Sequence, residues 1–305
     1  MNLTESEKTL IESLPKPPAV ARLHVTNIWI IEWLSIGERR TGEELHDWME
    51  QQRPGWSIYN RCTSKEEVIR SIERAAYSTQ QNGMAPVLHI EAHGNLIGIA
   101  PSRDKQAELL RWEELTLPLQ QLNIATKCNL VIVVAACLGF AAIQALTQSP
   151  RAPAIALVGT DATVNESDLL LGTKEFYRCI RGENSRLTEI AETSSREMCS
   201  TDFEVEPFAM LAYEALVEQV IKRIRPVERH ALIEKLRNRM HRETSFSMDV
   251  IERRLSQLPD IPPSADLQET WDQMFMIDIY PTNEERFGLN WDNVIGQILA
   301  ASSNQ

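Results

Sequence analysis

The sequence predicts an α/β fold, with a mostly parallel central sheet sandwiched by helices and a helical C-terminal extension. Three observations carry that prediction. The run Leu130-Val131-Ile132-Val133-Val134-Ala135-Ala136-Cys137 is continuously apolar and rich in β-branched residues, the pattern of a strand buried on both faces of a parallel sheet. A second run, Val87-Leu88-His89-Ile90-Glu91-Ala92-His93-Gly94, begins in the same way and turns polar at its end. Apolar runs of this kind alternate with stretches of helical period, giving a β-α-β-α-β order.

Taken in order, Thr4 followed by Glu7 forms a capping box for a short helix to Leu14, which Pro15-Lys16-Pro17-Pro18 stops. Asn27–Leu34 reads as a buried strand. Thr41, three positions before Glu44, opens a second helix that runs to about Gln51. Trp56–Cys62 is a strand, Ser64-Lys65-Glu66-Glu67 caps a helix to about Gln80, and Val87–His93 is the next strand. From Ala100 to Lys127 the chain is more polar, with one helix around Trp112–Asn123. The cysteine-bearing strand follows, then a helix over Phe140–Thr147, a turn at Ser149–Pro153 and a strand at Ala154–Gly159. Helices over Asp168–Arg181 and Ser185–Met198 complete the sandwich, which is assigned to residues 1–206. In residues 207–305, Phe208–Ile224 and Val227–Arg242 have apolar residues at helical spacing, and the next strand expected is Met274–Tyr280. This mainly helical segment packs on the same domain or on a partner.

With 305 residues and 43% hydrophobic content the chain can bury a large core. A formal net charge of -12 opposes general nucleic-acid binding, so no nucleic-acid partner is expected. Between Pro207 and Arg254 there are 10 Lys/Arg against 7 Asp/Glu, a balance that fits a solvated helical face. The five cysteines, Cys62, Cys128, Cys137, Cys179 and Cys199, have no CxxC spacing, which fits a reduced, cytoplasmic setting. The N-terminal residues lack a basic region and an apolar core, and no apolar run is long enough to span a bilayer, so neither secretion nor a membrane partner is expected.

Chemistry concentrates at His93 and Cys137. In an open parallel sheet, ligands bind beyond the carboxyl ends of the strands, so two reactive side chains that each end a strand are expected to share a cleft. Cysteine catalysis needs a thiolate, an imidazole to move protons, and donors aimed at the oxyanion. The turn into the helix near Phe140 favours the Cys137 thiolate. Gly94, having no side chain, lets its N–H approach a substrate oxygen; the expected oxyanion donors are the N–H groups of Gly94 and Cys137. The plain alternatives are a buried, inert thiol and a structural or metal-binding histidine. No Cys/His cluster supplies further metal ligands, so no metal and no cofactor is expected. Glu91 shares a strand face with His93 and either orients its imidazole or caps the sheet edge.

Ala92-His93-Gly94, followed 44 residues after His93 by Ala136-Cys137-Leu138-Gly139, resembles the caspase-like cysteine peptidases. With the strand ending Val158-Gly159-Thr160-Asp161 and Phe176-Tyr177 before Arg181-Gly182, the pattern is similar to the CHAT branch related to caspases and separase, over roughly Asn27 to Met198. The resemblance implies a caspase-like αβα sandwich and a His/Cys-dyad endopeptidase, expected to cut a specific protein substrate as a regulated effector in a bacterial defence or cell-death pathway. A protein activator or regulator is the implied partner. Position 135 is Ala, where caspases carry Gln and many metacaspase-like relatives Asp, so neither specificity transfers. Asp161 matches the position of a separase-like Asp and is either an acceptor for a Lys or Arg preceding the cleaved bond or a turn or helix-capping residue. The short Thr147–Pro153 connection offers no evident processing site, so a single-chain enzyme is expected, with Pro101–Arg111 and Thr160–Gly172 as mobile walls. A catalytically silent interaction module of the same fold is the alternative. A flavodoxin-like nucleotide binder is disfavoured because no Gly-rich loop follows the first strand.

Overall fold

The runs read as buried strands do form a sheet, in a computed structural model that describes residues 4–18, 23–143, 149–180, 203–243, 247–256 and 261–302. In chain order its first part comprises α1 (Glu5–Ser13), β1 (Asn27–Trp33), α2 (Thr41–Gln52), β2 (Ser57–Arg61), α3 (Lys65–Asn82), β3 (Pro86–Gly94), β4 (Gly98–Ala100), β5 (Leu110–Arg111) and α4 (Trp112–Ala125). There follow β6 (Val131–Ala135), β7 (Ala156–Thr160), α5 (Glu166–Cys179), β8 (Phe203–Pro207), α6 (Phe208–Ile224), α7 (Pro226–Glu243), α8 (Met248–Ser256), α9 (Ser264–Met274), α10 (Glu284–Phe287) and α11 (Trp291–Ser302). The main sheet has the order β2-β1-β3-β6-β7-β8, parallel throughout except for the antiparallel β7/β8 edge. The short β4/β5 hairpin is paired to the end of β3. The fold is therefore α/β with a mostly parallel central sheet and a helical C-terminal segment, as the pattern predicts.

Period-two alternation divides the sheet into two faces. Trp29, Ile31, Leu88, Ile90, Ile132 and Val134 pack in one apolar cluster with Val68 and Ile72 of α3 and Leu115 and Leu119 of α4. The opposite face carries Glu32, His89 and Glu91, all buried, and meets Thr41 of α2 and Tyr177 of α5. One side of the sheet is thus dry, while the other holds a polar layer toward the strands' carboxyl ends.

Several local expectations hold. Thr4 and Glu7 make the reciprocal capping box of α1, and Ser64 accepts from the Glu67 N–H at the start of α3. Thr41 begins α2 as expected, as its first residue with Arg40 at the cap position, and its hydroxyl donates to Glu91. The α2 N-terminus is held from the sheet instead: Glu32 Oε1 accepts from the N–H groups of Gly42 at 2.8 Å and Glu43 at 3.4 Å, while Glu32 Oε2 accepts from the Tyr59 hydroxyl and from Arg40 Nε. A buried carboxylate close to four donors and a helix N-terminus outcompetes a local hydroxyl cap. Met274–Tyr280 is not the strand expected. Met274 ends α9 and residues 275–279 are turns, with Met276 at φ 59° and Phe275 buried by stacking on Phe287. Strands β4, β5 and β8 were not expected from the sequence. The helix expected over Phe140–Thr147 begins as a 3-10 turn at Gly139–Ala141; its residues 144–147, and the helix expected over Ser185–Met198, lie outside the described residues.

The chain separates into two compact units. One, Pro18–Met210 with Asp272–Gly288, contains the sheet; there Arg151 pairs with both carboxylate oxygens of Asp278, and the Ala152 N–H donates to the Met274 carbonyl at 2.9 Å. Arg151 holds the Asp278 carboxyl below its usual range. The other, Met1–Pro17 with Leu211–Trp271 and Leu289–Gln305, buries Tyr213, Trp271 and Trp291 together and pairs Arg225 with Glu7. Among the described residues no helix is long and apolar enough to cross a membrane.

Glu32 should be a stability determinant. Glu32→Ala strands the α2 N–H groups and the Tyr59 hydroxyl, and is expected to cost about 2–4 kcal/mol in urea denaturation, with Glu32→Gln costing less because it keeps one acceptor oxygen.

Candidate active site

The sheet itself brings the two reactive side chains together. Strands β3 and β6 are parallel neighbours in which Glu91 lies opposite Ala135. Two residues further along each chain, on the same face, come His93 and Cys137. Both line one cavity of about 520 Å³ at the carboxyl rim, together with Leu34, Glu38, Thr41, Glu91, Ala135 and Val164. A second cavity of about 400 Å³ is lined by His93, Gly94 and Cys137 with Arg103, Leu138 and Thr163. The two reactive groups border both hollows.

Cys137 is presented by a tight turn. The Gly139 N–H donates to the Ala136 carbonyl at 3.1 Å, and Leu138 takes up left-handed backbone angles, φ 55° and ψ 30°. For a non-glycine residue that conformation costs roughly 1–2 kcal/mol, and the Leu138 N–H bond to the Ala162 carbonyl, 3.0 Å, helps to hold it. The half-buried sulfur lies 3.4 Å from the Val164 carbonyl, to which the thiol donates. Among the described residues no acceptor takes the Cys137 N–H.

Gly94 is where β3 meets this turn. A Cβ built there would lie 2.2 Å from the Cys137 carbonyl oxygen, a distance no side chain tolerates. Pairing with β4 opposes His93 to Ala100 and Gly94 to Ile99, and the Asn95 N–H donates to Gly98. Hydrogen-bonded pairs alternate in an antiparallel ladder, so the Gly94 N–H points away from β4, toward the Cys137 side.

His93 keeps 24% of its side chain exposed and places Nε2 2.7 Å from Glu38 Oε2. With Nε2–H donated to that carboxylate, Nδ1 is the nitrogen left to exchange a proton. Glu38 comes from the loop between β1 and α2, shaped by Gly37 at φ 95° and a 3.3 Å bond from the Glu38 N–H to Ser35. Sequence reasoning missed it; the one available signal was an acidic residue just past the carboxyl end of a strand adjacent to β3. The role considered for Glu91 as partner of His93 falls to Glu38. Glu91 accepts from the Thr41 hydroxyl and lies 2.7 Å from His89 Nε2. His89 Nδ1 is 3.0 Å from the Tyr177 hydroxyl, whose phenol is pushed well up by complete burial and by the nearby Glu91.

Other expected residues separate by position. Asp161 is exposed and lines neither cavity, whereas Thr163 and Val164 of the same loop do. Burial pushes the Cys62 thiol up to about 11 and the Cys128 thiol up to about 12. Both are therefore protonated at neutral pH and sealed from reagents. Cys179 is half-buried, and Cys199 lies outside the described residues. Among the described residues no group of three His, Cys, Asp or Glu side chains is arranged to hold a metal ion.

The sequence matches no protein-family model and no curated protein. The chemistry available at the rim must be judged from its geometry: a half-exposed thiol, an imidazole held by a carboxylate, and two backbone N–H groups from facing segments.

Gly94→Ala is expected to cost about 2 kcal/mol or more in urea denaturation, because a methyl group there must displace the Cys137 backbone. The same variant should slow alkylation of Cys137, read by mass spectrometry.

Proposed function

We propose that this chain is a caspase-like cysteine endopeptidase with a His93/Cys137 dyad. The observation that carries this reading is the shared cavity: a thiol and an imidazole, level on two neighbouring parallel strands, open to one hollow of about 520 Å³. The Cys137 thiol gives its proton to His93, and the sulfur attacks the scissile carbonyl. The Gly94 and Cys137 N–H groups receive the oxyanion. Collapse of the tetrahedral adduct breaks the C–N bond as the imidazolium protonates the leaving amine. Water, deprotonated by His93, then hydrolyses the thioester and restores the thiol. Glu38 is a positioning residue that fixes the imidazole's tautomer.

The bond from the Cys137 thiol to the Val164 carbonyl supports regulated activity. A carbonyl oxygen beside the sulfur favours thiol over thiolate, so a shift of the loop 161–165 away from the sulfur would raise the thiolate's share. The substrate is a protein or peptide, and a protein activator or regulator is the expected partner; the resemblance in sequence to caspase-like peptidases further implies an effector role in bacterial defence or cell death. Cysteines without disulfides among the described residues favour a cytoplasmic setting.

Iodoacetamide at pH 7 should alkylate Cys137 while Cys62 and Cys128 stay unmodified. His93→Ala should slow that reaction by at least about tenfold. Equal rates in wild type and variant would leave a silent module. Glu38→Gln should give a smaller loss and displace the pH profile of alkylation, which a purely structural residue would not do.

A further inference from the structure

Another hollow, of about 470 Å³, lies at the opposite end of the sheet. His24, Ala85 and Asn129 line it, and they stand just before β1, β3 and β6 begin. The nine residues of β3, about 30 Å of rise, run from this end to the rim that carries His93. The hollow is thus remote from Cys137, and its chemistry stands apart from the peptidase reading.

Arg286 of α10 lines the hollow half-buried, and its guanidinium meets only neutral acceptors. Nη1 donates to the Cys128 carbonyl at 3.0 Å and to Asn283 Oδ1 at 3.5 Å, and Nη2 donates to Asn129 Oδ1 at 3.3 Å. At least two of the five N–H groups are left over, among them that of Nε, which is buried with no acceptor among the described residues. The Phe287 ring, its centroid 4.8 Å from the guanidinium carbon, is a weak substitute for a counter-charge. Burial pushes the guanidinium down from its usual value, yet arginine keeps its proton in proteins, so the positive charge persists there. A charge withdrawn from water is costly without an opposite charge beside it.

Lys127 brings a second cation to the same hollow. It is exposed and has no ion-pair partner among the described residues. Lys127 and Cys128 both adopt left-handed backbone angles, φ 58° and 61°, a strained pair for residues with side chains. Bonds from the Lys127 N–H to the Ile124 carbonyl and from the Cys128 N–H to the Asn123 carbonyl hold this turn. The one carboxylate lining the hollow, Glu285, is exposed and pairs with neither cation. In a chain of net charge -12, two cations against one carboxylate is a local reversal of sign.

We infer that this hollow binds a phosphate group, held between the guanidinium of Arg286 and the ammonium of Lys127. Two cations match a dianion better than a single carboxylate, and the planar guanidinium suits phosphate oxygens. A hollow of about 470 Å³ is roomier than a bare phosphate needs, which favours the phosphate ester of a small molecule, its body lying toward Met84 and Thr282.

Thermal unfolding of the full chain at constant ionic strength tests this, with sodium phosphate, ribose 5-phosphate and adenosine 5′-monophosphate set against sodium acetate, ribose and adenosine. The phosphate-bearing compounds should raise Tm by about 2 °C or more at saturation, and the other three should not. A larger shift from an ester than from inorganic phosphate assigns the rest of the hollow to the ester's body; equal shifts identify free phosphate as the occupant. Lys127→Asn removes one charge and tolerates the left-handed angles, and should weaken phosphate binding about tenfold by titration calorimetry. Arg286→Gln should abolish it, and Lys127→Asn keeps the test decisive should Arg286→Gln fail to fold. No shift with any phosphate compound, or an equal shift with acetate, overturns the inference. Binding undiminished in Lys127→Asn places the phosphate elsewhere and overturns it as well.

Discussion

The lateral pairing of β3 with β6 is the constraint on which the rest of the molecule depends. The two strands run the same way and are hydrogen-bonded in a register that sets Glu91 opposite Ala135. Their carboxyl ends therefore leave the sheet at one rim and at one level, and the side chains two residues on, His93 and Cys137, emerge on the same face. The contact continues past the last ladder bond: the backbone at Gly94 comes so close to the Cys137 carbonyl that no side chain fits between them. A strand pair built for sheet stability thus also sets the separation of a thiol and an imidazole, and no flexible loop has to bring them together.

The same pairing creates an electrostatic problem. Glu32 and Glu91 are opposite one another on β1 and β3, and both are buried. Two carboxylates on adjacent strands in a low-dielectric layer demand donors. Glu32 obtains them from the α2 N-terminus, Tyr59 and Arg40; Glu91 obtains them from Thr41 and His89. This layer joins the sheet to the helix covering it, because α2 is held at its first turn by both strands. One member of the layer is fully committed to structure. The other, held by Thr41 and His89, keeps an edge on the cavity.

Beyond the sheet, short-range geometry completes the rim. The left-handed Leu138 angles turn the chain sharply after Cys137, so that the sulfur points outward instead of continuing into the covered strand. The loop after β1 delivers Glu38 to His93, and the loop after β7 lays the Val164 carbonyl against the sulfur. Three connections, after β1, β6 and β7, therefore line one cavity. Arg39 ties two of them together by holding Glu44 of α2 on one side and Ser167 of α5 on the other. Arg39, next to Glu38 in its loop, thus joins that loop to the start of α5.

Local composition was sufficient for the parallel strands, for α1, α3 and α4, and for the pair His93 and Cys137, because a strand buried on both faces must be apolar throughout and its polar end marks the rim. It was insufficient wherever an alternative partner lay far along the chain. Thr41 carries the local signature of a cap, yet Glu91, fifty residues away, takes its hydroxyl. Met274–Tyr280 is apolar enough for a strand, but burial against Phe287 needs no ladder. Glu38 has no local signature at all: its role exists only because the β1 loop closes over the end of β3. The amino-acid sequence by itself determined which segments must be buried and which two side chains end them. Only the tertiary structure decided which carboxylate holds the imidazole and which lies at the cavity floor, since a charged group's partner is chosen by distance in space and by the cost of leaving it unpaired.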